Sequence, residues 1–373
     1  MSVLKIVFNC YQILFDWSGF TMATRLYYIQ DNSQPTLPLI VKLKETKNFY
    51  NANVWLLNDQ HKRLTLLTSL VISATTPRDA KNGGYSVEFK WARQSSNSYN
   101  IEVEIEKRTE ASFGIVWFSG FVILKSDALI KSLSPIVSSK SFKMEFIGDS
   151  ISCGYGNLKV APCHFEAATE NVHESFVQKT ARYLNATTSH VQCWSGKGMV
   201  RNYGDKSTVS KDPLPLFYGR TLANDATKPW NFSVVPDLVV ISLGTNDFST
   251  PPRPSLEEFG AGYQKVIDLI KAKYLVRNPN LKLVLVKLHL GNIQYVKQIA
   301  ERQANYGKTV FYYDLSKVMG TLKPNEWGCD GHPHVTGDEK MALALSTFIK
   351  ENVLIKQKSG SAPNSVLSDN DME

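Results

Sequence analysis

The hydrophobic rhythm of this chain changes once, and that change restricts its fold more than any other feature. In the first third, apolar residues recur with a period of two. Val87, Phe89 and Trp91 alternate with polar neighbours, and Ile101, Val103 and Ile105 alternate with glutamates. Alternation of this kind gives a strand one buried face and one polar face. Further short apolar runs at Val54–Leu57, Leu64–Ile72 and Ile115–Leu124 are separated by turn signals such as Asn82-Gly83-Gly84. Several short strands without a convincing helix predict an antiparallel β-sandwich over residues 1–130.

Residues 125–140 are rich in Ser and Lys, contain Pro135, and read as a connector. Beyond them apolar strands alternate with helices. Phe142–Ile147, Leu238–Leu243, Leu281–Leu288 and Val310–Leu315 read as strands. Val172, Phe176, Val177, Thr180, Ala181 and Leu184 fall at helical spacing, and Ile293–Ala304 and Asp338–Leu354 also read as helices. Ser255 and Glu258 form a capping box that opens a helix with Phe259, Tyr263, Val266, Ile267 and Ile270 on one face. The pattern predicts an α/β domain over 141–355, with a parallel sheet covered by helices on both faces. The polar tail, 356–373, is expected to be disordered.

Of the 373 residues, 43% are hydrophobic and 20% charged, which excludes a wholly disordered, collagen-like or coiled-coil chain. No run reaches the roughly 18–20 apolar residues needed to span a bilayer. Met1 to Phe20 carries Lys5, Asn9, Gln12 and Asp16 and lacks a small-residue cleavage site, so it does not read as a secretion signal. On that reading the chain is cytoplasmic as it stands, and secreted if further residues precede it. The formal charge of +8 is spread over single lysines with acids between them. It reads as solvated surface, with no nucleic-acid partner. Five cysteines without a C-x-x-C pair argue against a zinc ribbon, and their odd number leaves at least one thiol unpaired. One disulfide, such as Cys153 with Cys163, is an option that spacing alone does not decide.

In open α/β sheets, ligands bind beyond the carboxyl ends of the strands. After Phe142–Ile147 comes Gly148-Asp149-Ser150, where a serine at a helix start sits in a field that favours developing negative charge. After Leu238–Leu243 comes Gly244-Thr245-Asn246-Asp247, which offers an amide donor. Before the last helix lies Cys329-Asp330-Gly331-His332-Pro333-His334. In an extended segment, residues two apart point the same way, so the Asp330 carboxylate is expected to accept the Nδ1 proton of His332. The bland alternatives are a helix cap, a turn amide and a surface histidine. His289 after Leu281–Leu288 is a rival base, and His332, His334, Asp330 and Cys329 are a rival metal site, disfavoured because Pro333 constrains the ring directions and no further ligand is evident.

Taken together, Gly148-Asp149-Ser150, Gly198 within Trp194-Ser195-Gly196-Lys197-Gly198, Gly244-Thr245-Asn246-Asp247 and Asp330-Gly331-His332-Pro333 resemble the four blocks of the SGNH/GDSL hydrolases. The longer stretches Phe146–Asn157 and Pro236–Phe248 resemble carbohydrate esterase family 2, and Asp16-Trp17-Ser18-Gly19 resembles an early motif of that family's jelly-roll domain. The resemblance implies a flavodoxin-like parallel sheet behind a jelly-roll sandwich. It implies Ser150 as nucleophile, His332 as base, Asp330 as orienting acid, and an oxyanion hole from the N–H groups of Ser150 and Gly198 with the Asn246 amide. It further implies deacetylation of carbohydrate, an acetylated oligo- or polysaccharide as partner, and no cofactor or metal. Tyr155, Trp194 and Trp327 are candidates for stacking on sugar. The competing readings are a non-catalytic glycan binder and an ester hydrolase of broader acyl range.

Overall fold

The computed structural model describes residues 6–7, 13–29, 36–44, 47–60, 62–81, 83–92, 98–123, 130–132, 142–288 and 293–354. The N-terminal part contains the strands β1 (Ile6–Val7), β2 (Ile13–Phe15), β3 (Thr21–Ile29), β4 (Thr36–Leu43), β5 (Tyr50–Leu57) and β6 (Arg63–Ile72). They are followed by β7 (Arg78–Asp79), β8 (Gly84–Lys90), β9 (Ser98–Lys107), β10 (Val116–Ile123) and β11 (Ile130–Ser132). One antiparallel sheet is ordered β1-β10-β4-β8-β7, with β2 also on β10, and the other β11-β3-β9-β5-β6. Let β1 and β2 together count as the first strand, and set aside the short β7 and β11. The neighbours then run first, eighth, third, sixth in one sheet and second, seventh, fourth, fifth in the other, which is a jelly roll.

The alternation seen in the sequence does what it predicts. Ile101, Val103 and Ile105 of β9 enter a core shared with Val41, Val54 and Phe89. On the opposite face of β9, Glu102 and Glu104 are also buried, and they pair with Arg25 and Arg63. Strands β3 and β4 were not marked by the sequence pattern. Part of the expected connector, Ile130–Ser132, forms β11 against β3. The rest of that connector, Asn82 and the tail from residue 355 lie outside the described residues.

The second part contains β12 (Lys143–Gly148), α1 (Ser150–Cys153), α2 (Phe176–Tyr183), β13 (Thr188–Cys193), α3 (Pro215–Tyr218), β14 (Leu238–Ser242) and α4 (Thr245–Ser249). It continues with α5 (Leu256–Tyr274), β15 (Lys282–Lys287), α6 (Tyr295–Glu301), β16 (Val310–Asp314), α7 (Ser316–Met319) and α8 (Val335–Phe348). The strands form a parallel sheet ordered β13-β12-β14-β15-β16, the flavodoxin-like order with its switch point between β12 and β14. Phe146 and Val240 pack on one face with Phe176 and Leu345. Ile147 and Ile241 pack on the other with Tyr263 and Ile267. Burial on both faces is why β14 reads as an unbroken apolar run. The edge strand β13 is Thr-Ser-His-Val-Gln-Cys, too polar to stand out. The capping box of Ser255 and Glu258 is present at the start of α5.

The two parts meet through buried polar groups. The Asp16 carboxylate accepts the N–H groups of Ala223 and Asn224 at 2.9 and 2.8 Å. No described helix is long and apolar enough to cross a membrane. Disulfides join Cys153 to Cys193 and Cys163 to Cys329, replacing the expected option of Cys153 with Cys163. The first ties α1 to the end of β13, and the second ties the loop after α1 to the segment that carries His332.

Candidate active site

Ser150 is placed by the turn that ends β12. Gly148 is required there, because a Cβ would fall 2.0 Å from Ser152 Oγ. Asp149 then caps α1, its carboxylate accepting the Ile151 N–H at 3.1 Å. Ser150 becomes the first residue of the helix, so its N–H has no partner within the helix. Its Oγ lies 2.8 Å from His332 Nε2, although 182 residues separate the two.

The expected partner of the imidazole is not the observed one. His332 Nδ1 lies 3.3 Å from the main-chain carbonyl oxygen of Asp330. A carbonyl only accepts, so Nδ1 carries the proton and Nε2 is the acceptor facing the serine hydroxyl. The Asp330 carboxylate bonds elsewhere: to His164 Nδ1 at 2.8 Å, the Phe165 N–H at 2.9 Å and the Tyr155 hydroxyl at 3.2 Å. The cause is local. Asp330 adopts φ 51°, ψ 34°, within a turn from Cys329 to Gly331, so the extended geometry that would align it with His332 is absent. Its bonds to His164 and Phe165 hold this carboxyl below the ordinary carboxylate range. Burial moves His332 the opposite way from a paired imidazole, below the ordinary histidine value.

Asn246 follows β14, whose Ser242 is in register with Gly148 of β12, so serine and amide emerge side by side. One Nδ2 hydrogen goes to the Lys197 carbonyl at 2.8 Å, which leaves the second available. Arg201 is wholly buried, and its guanidinium donates to the Asn246 carbonyl at 3.4 Å. Asp247 gathers the N–H groups of Met199, Val200 and Arg201 at 2.8–2.9 Å.

The expected glycine donor has a partner of its own. Gly198 is buried, its N–H donates to Asn202 Oδ1 at 3.2 Å, and a Cβ there would meet the Arg201 carbonyl at 1.9 Å. Its small size serves the tight packing of this loop. Gly196, two residues earlier, lines the cavity beside Ser150 instead. It has φ 77°, and among the described residues its N–H has no hydrogen-bond partner. Gly196 and Gly198 stand two residues apart, and the resemblance pointed to Gly198 alone.

The cavity measures about 800 Å³ and brings together Ser150, Asn246, His332, Gly196, Tyr155 and Trp327. Trp194 is not among its lining residues; it packs on Phe217, with ring centroids 4.9 Å apart. Tyr155 is committed on both sides, stacked on Phe165 at 4.0 Å and resting on the His332 ring at 4.3 Å. Its phenol is pushed up to about 12 by burial and by the Asp330 charge. His289 lies outside the described residues. His334 caps α8, accepting the Thr336 N–H, rather than joining His332 as a ligand pair. Among the described residues, the group of ligating side chains close enough to hold an ion is Glu110, Cys153 and Glu170, and the Cys153 sulfur is already in a disulfide.

A serine hydroxyl held by a neutral imidazole at the strand ends of a flavodoxin-like sheet, beside N–H and amide donors, is the framework of a serine hydrolase. Residues 146–340 match the GDSL-like lipase/acylhydrolase family, and the chain belongs to that family. It is 40% identical over 258 residues to the cellulase/esterase CelE of Acetivibrio thermocellus, covering 66% of this chain and 29% of that protein. It is 29% identical over 255 residues to an acetylxylan esterase / glucomannan deacetylase of Cellvibrio japonicus, covering 66% of this chain and 65% of that one. The chain therefore spans less than two thirds of the length of these two curated relatives. The solved structure of a family two carbohydrate esterase from Clostridium thermocellum with cellohexaose superposes with a TM-score of 0.67 at 25% identity, over 91% of this chain and 94% of that one. One from Cellvibrio japonicus gives 0.68 at 20% identity, over 94% and 98%, and shows the same fold.

Proposed function

We propose that the protein is a carbohydrate O-acetyl esterase that works through an acyl-serine intermediate. The observation that carries this reading is the 2.8 Å contact between Ser150 Oγ and His332 Nε2, inside a cavity that also holds Asn246 and Gly196. Ser150 Oγ attacks the acetyl carbonyl while His332 Nε2 takes its proton. The carbonyl oxygen becomes an oxyanion, met by the N–H groups of Ser150 and Gly196 and the Asn246 amide. His332 then gives its proton to the departing sugar hydroxyl. Water repeats the sequence on the acyl-serine and releases acetate. The charged imidazole is supported at Nδ1 by the Asp330 carbonyl, a dipole in place of a carboxylate.

The acetyl and sugar assignments rest on what the relatives are named for and on the aromatic Trp327 in the cavity. The test is hydrolysis of acetylated xylo- and gluco-oligosaccharides beside p-nitrophenyl esters of increasing chain length. Ser150→Ala is expected to lower turnover by at least about 10³-fold. Full turnover in that variant removes Ser150 from the mechanism. Glycan binding without Ser150-dependent product supports a binding protein, and equal rates on long acyl chains support a broader hydrolase. Two disulfides braced around the site also favour an oxidising setting, such as the cell exterior.

A further inference from the structure

The donor turn of the hydrolase part is held by a residue of the sandwich. Glu110 follows β9, is 4% exposed, and accepts the Ser195 N–H on Oε2 at 2.7 Å. Ser195 immediately precedes Gly196. Lys197 N–H bonds back to the Trp194 carbonyl at 3.3 Å, so Trp194 to Lys197 is a four-residue turn. Gly196 stands third in it with φ 77°, the type II arrangement. In a turn of this type the central Ser195–Gly196 peptide is carried by the two peptides that flank it. A Cβ at Gly196 would meet nothing within 4 Å, so packing does not hold the turn at this corner. Two hydrogen bonds do. Glu110 fixes the Ser195 N–H on one side, and the Tyr203 N–H fixes the Gly196 carbonyl on the other at 2.8 Å.

Glu110 is itself firmly seated. Its Oε1 accepts the Ser112 hydroxyl, and its N–H donates to Glu170 Oε2 at 3.0 Å. Its carbonyl accepts from Lys107 Nζ at 3.0 Å, and the same buried ammonium reaches the Asp16 carbonyl at 2.9 Å. Arg108, next along, holds the Ala168 and Glu170 carbonyls at 2.8 and 3.2 Å. The four polar residues Lys107 to Glu110 are all buried where sandwich and hydrolase meet.

We infer that Glu110 is a positioning residue for the proposed reaction: by holding the Ser195 N–H it sets the donor turn against the cavity, so that the Gly196 N–H reaches the developing oxyanion. The inference rests on the esterase reading above. It makes the sandwich part of the active-site machinery, although the family match begins only at residue 146.

The experiment compares the full-length wild type with E110A, E110Q, E110D and S150A. An oxyanion donor acts in the transition state, so its misalignment lowers kcat and leaves KM nearly unchanged. Removing one donor costs about 10²–10³-fold. E110A, which misaligns a donor without deleting it, is expected to lose roughly 10- to 100-fold in kcat with KM within about twofold. E110Q keeps an acceptor for the Ser195 N–H and is expected to recover most of the loss. Should E110A fail to fold, E110D keeps the carboxyl on a shorter reach and is expected to lower kcat while its melting temperature stays near that of the wild type. A folded E110A or E110D with wild-type kcat overturns the inference, as does an E110Q no better than E110A. The rate of Ser150 labelling by a fluorophosphonate reads the same donors without a sugar ester. Wild type that labels but does not deacetylate sinks the carbohydrate reading, and the Glu110 comparison then proceeds on labelling rates. Wild type that does neither sinks both.

Discussion

Asp330 occupies the chain position of a triad acid, yet its carboxylate serves the neighbouring loop while its carbonyl serves the imidazole. That division has a measurable consequence. Where a carboxylate orients a catalytic histidine, losing it lowers kcat by about 10⁴-fold. Here Asp330→Ala keeps the main-chain carbonyl and removes the anchors of His164, Phe165 and Tyr155. A loss of about 10-fold or less in kcat is expected, measured on the same acetylated substrate. A loss near 10⁴-fold would show that the carboxylate reaches His332 during turnover. His332 supplies a pH test. The base must be neutral, and burial lowers its proton affinity, so the acid limb of kcat/KM is expected below about pH 6.5, the ordinary imidazole value. A midpoint above that value contradicts the assigned environment. Ser150, Asn246 and His332 were legible in sequence because strand ends in a parallel sheet converge on one edge. The true bond of Asp330 was not, because one left-handed backbone angle redirects a side chain without changing any residue type.

At the scale of elements, the site depends on loops that carry little regular structure of their own. Gly328 to Pro333 is held by short backbone bonds, with the Gly328 N–H to the His332 carbonyl at 2.6 Å and the Asp330 N–H to the Cys163 carbonyl at 3.1 Å. The Cys163–Cys329 disulfide reinforces that attachment across a separation of 166 residues. Replacing both cysteines by serine is expected to cost about 2–5 kcal/mol of stability and to lower kcat through the loosened imidazole. The check is a melting curve beside steady-state kinetics, and an unchanged kcat would mean that the backbone bonds suffice. The strands of the parallel sheet were readable from sequence where burial on both faces makes them apolar. The exception is β13, an edge strand with a polar face. Cysteine pairing stayed hidden because spacing along the chain says nothing about which loop folds over which.

Across the whole molecule, several carboxyls are buried where folding makes ionisation costly. Burial raises Glu145 and Asp149 to about 7 and Asp338 to about 8, against ordinary values of 4.5 and 3.8. Glu145, on strand β12 of the sheet, is hydrogen-bonded by Gln192 and Tyr274, and Asp338 accepts from Asn157 and the Phe176 N–H. Between the ordinary and the raised values, the folded state binds more protons than the unfolded chain. Stability therefore falls as pH rises through that window. The melting temperature is expected to be higher at pH 5 than at pH 8, and a scan showing the reverse would contradict the assigned burial.

The two disulfides overlap in the chain, since Cys163 lies between Cys153 and Cys193 while its partner Cys329 lies beyond both. A protease that nicks the backbone once anywhere from residue 154 to 328 therefore releases no fragment. The severed ends stay covalently joined, so serine and imidazole remain on one molecule after an attack that would divide an unlinked chain.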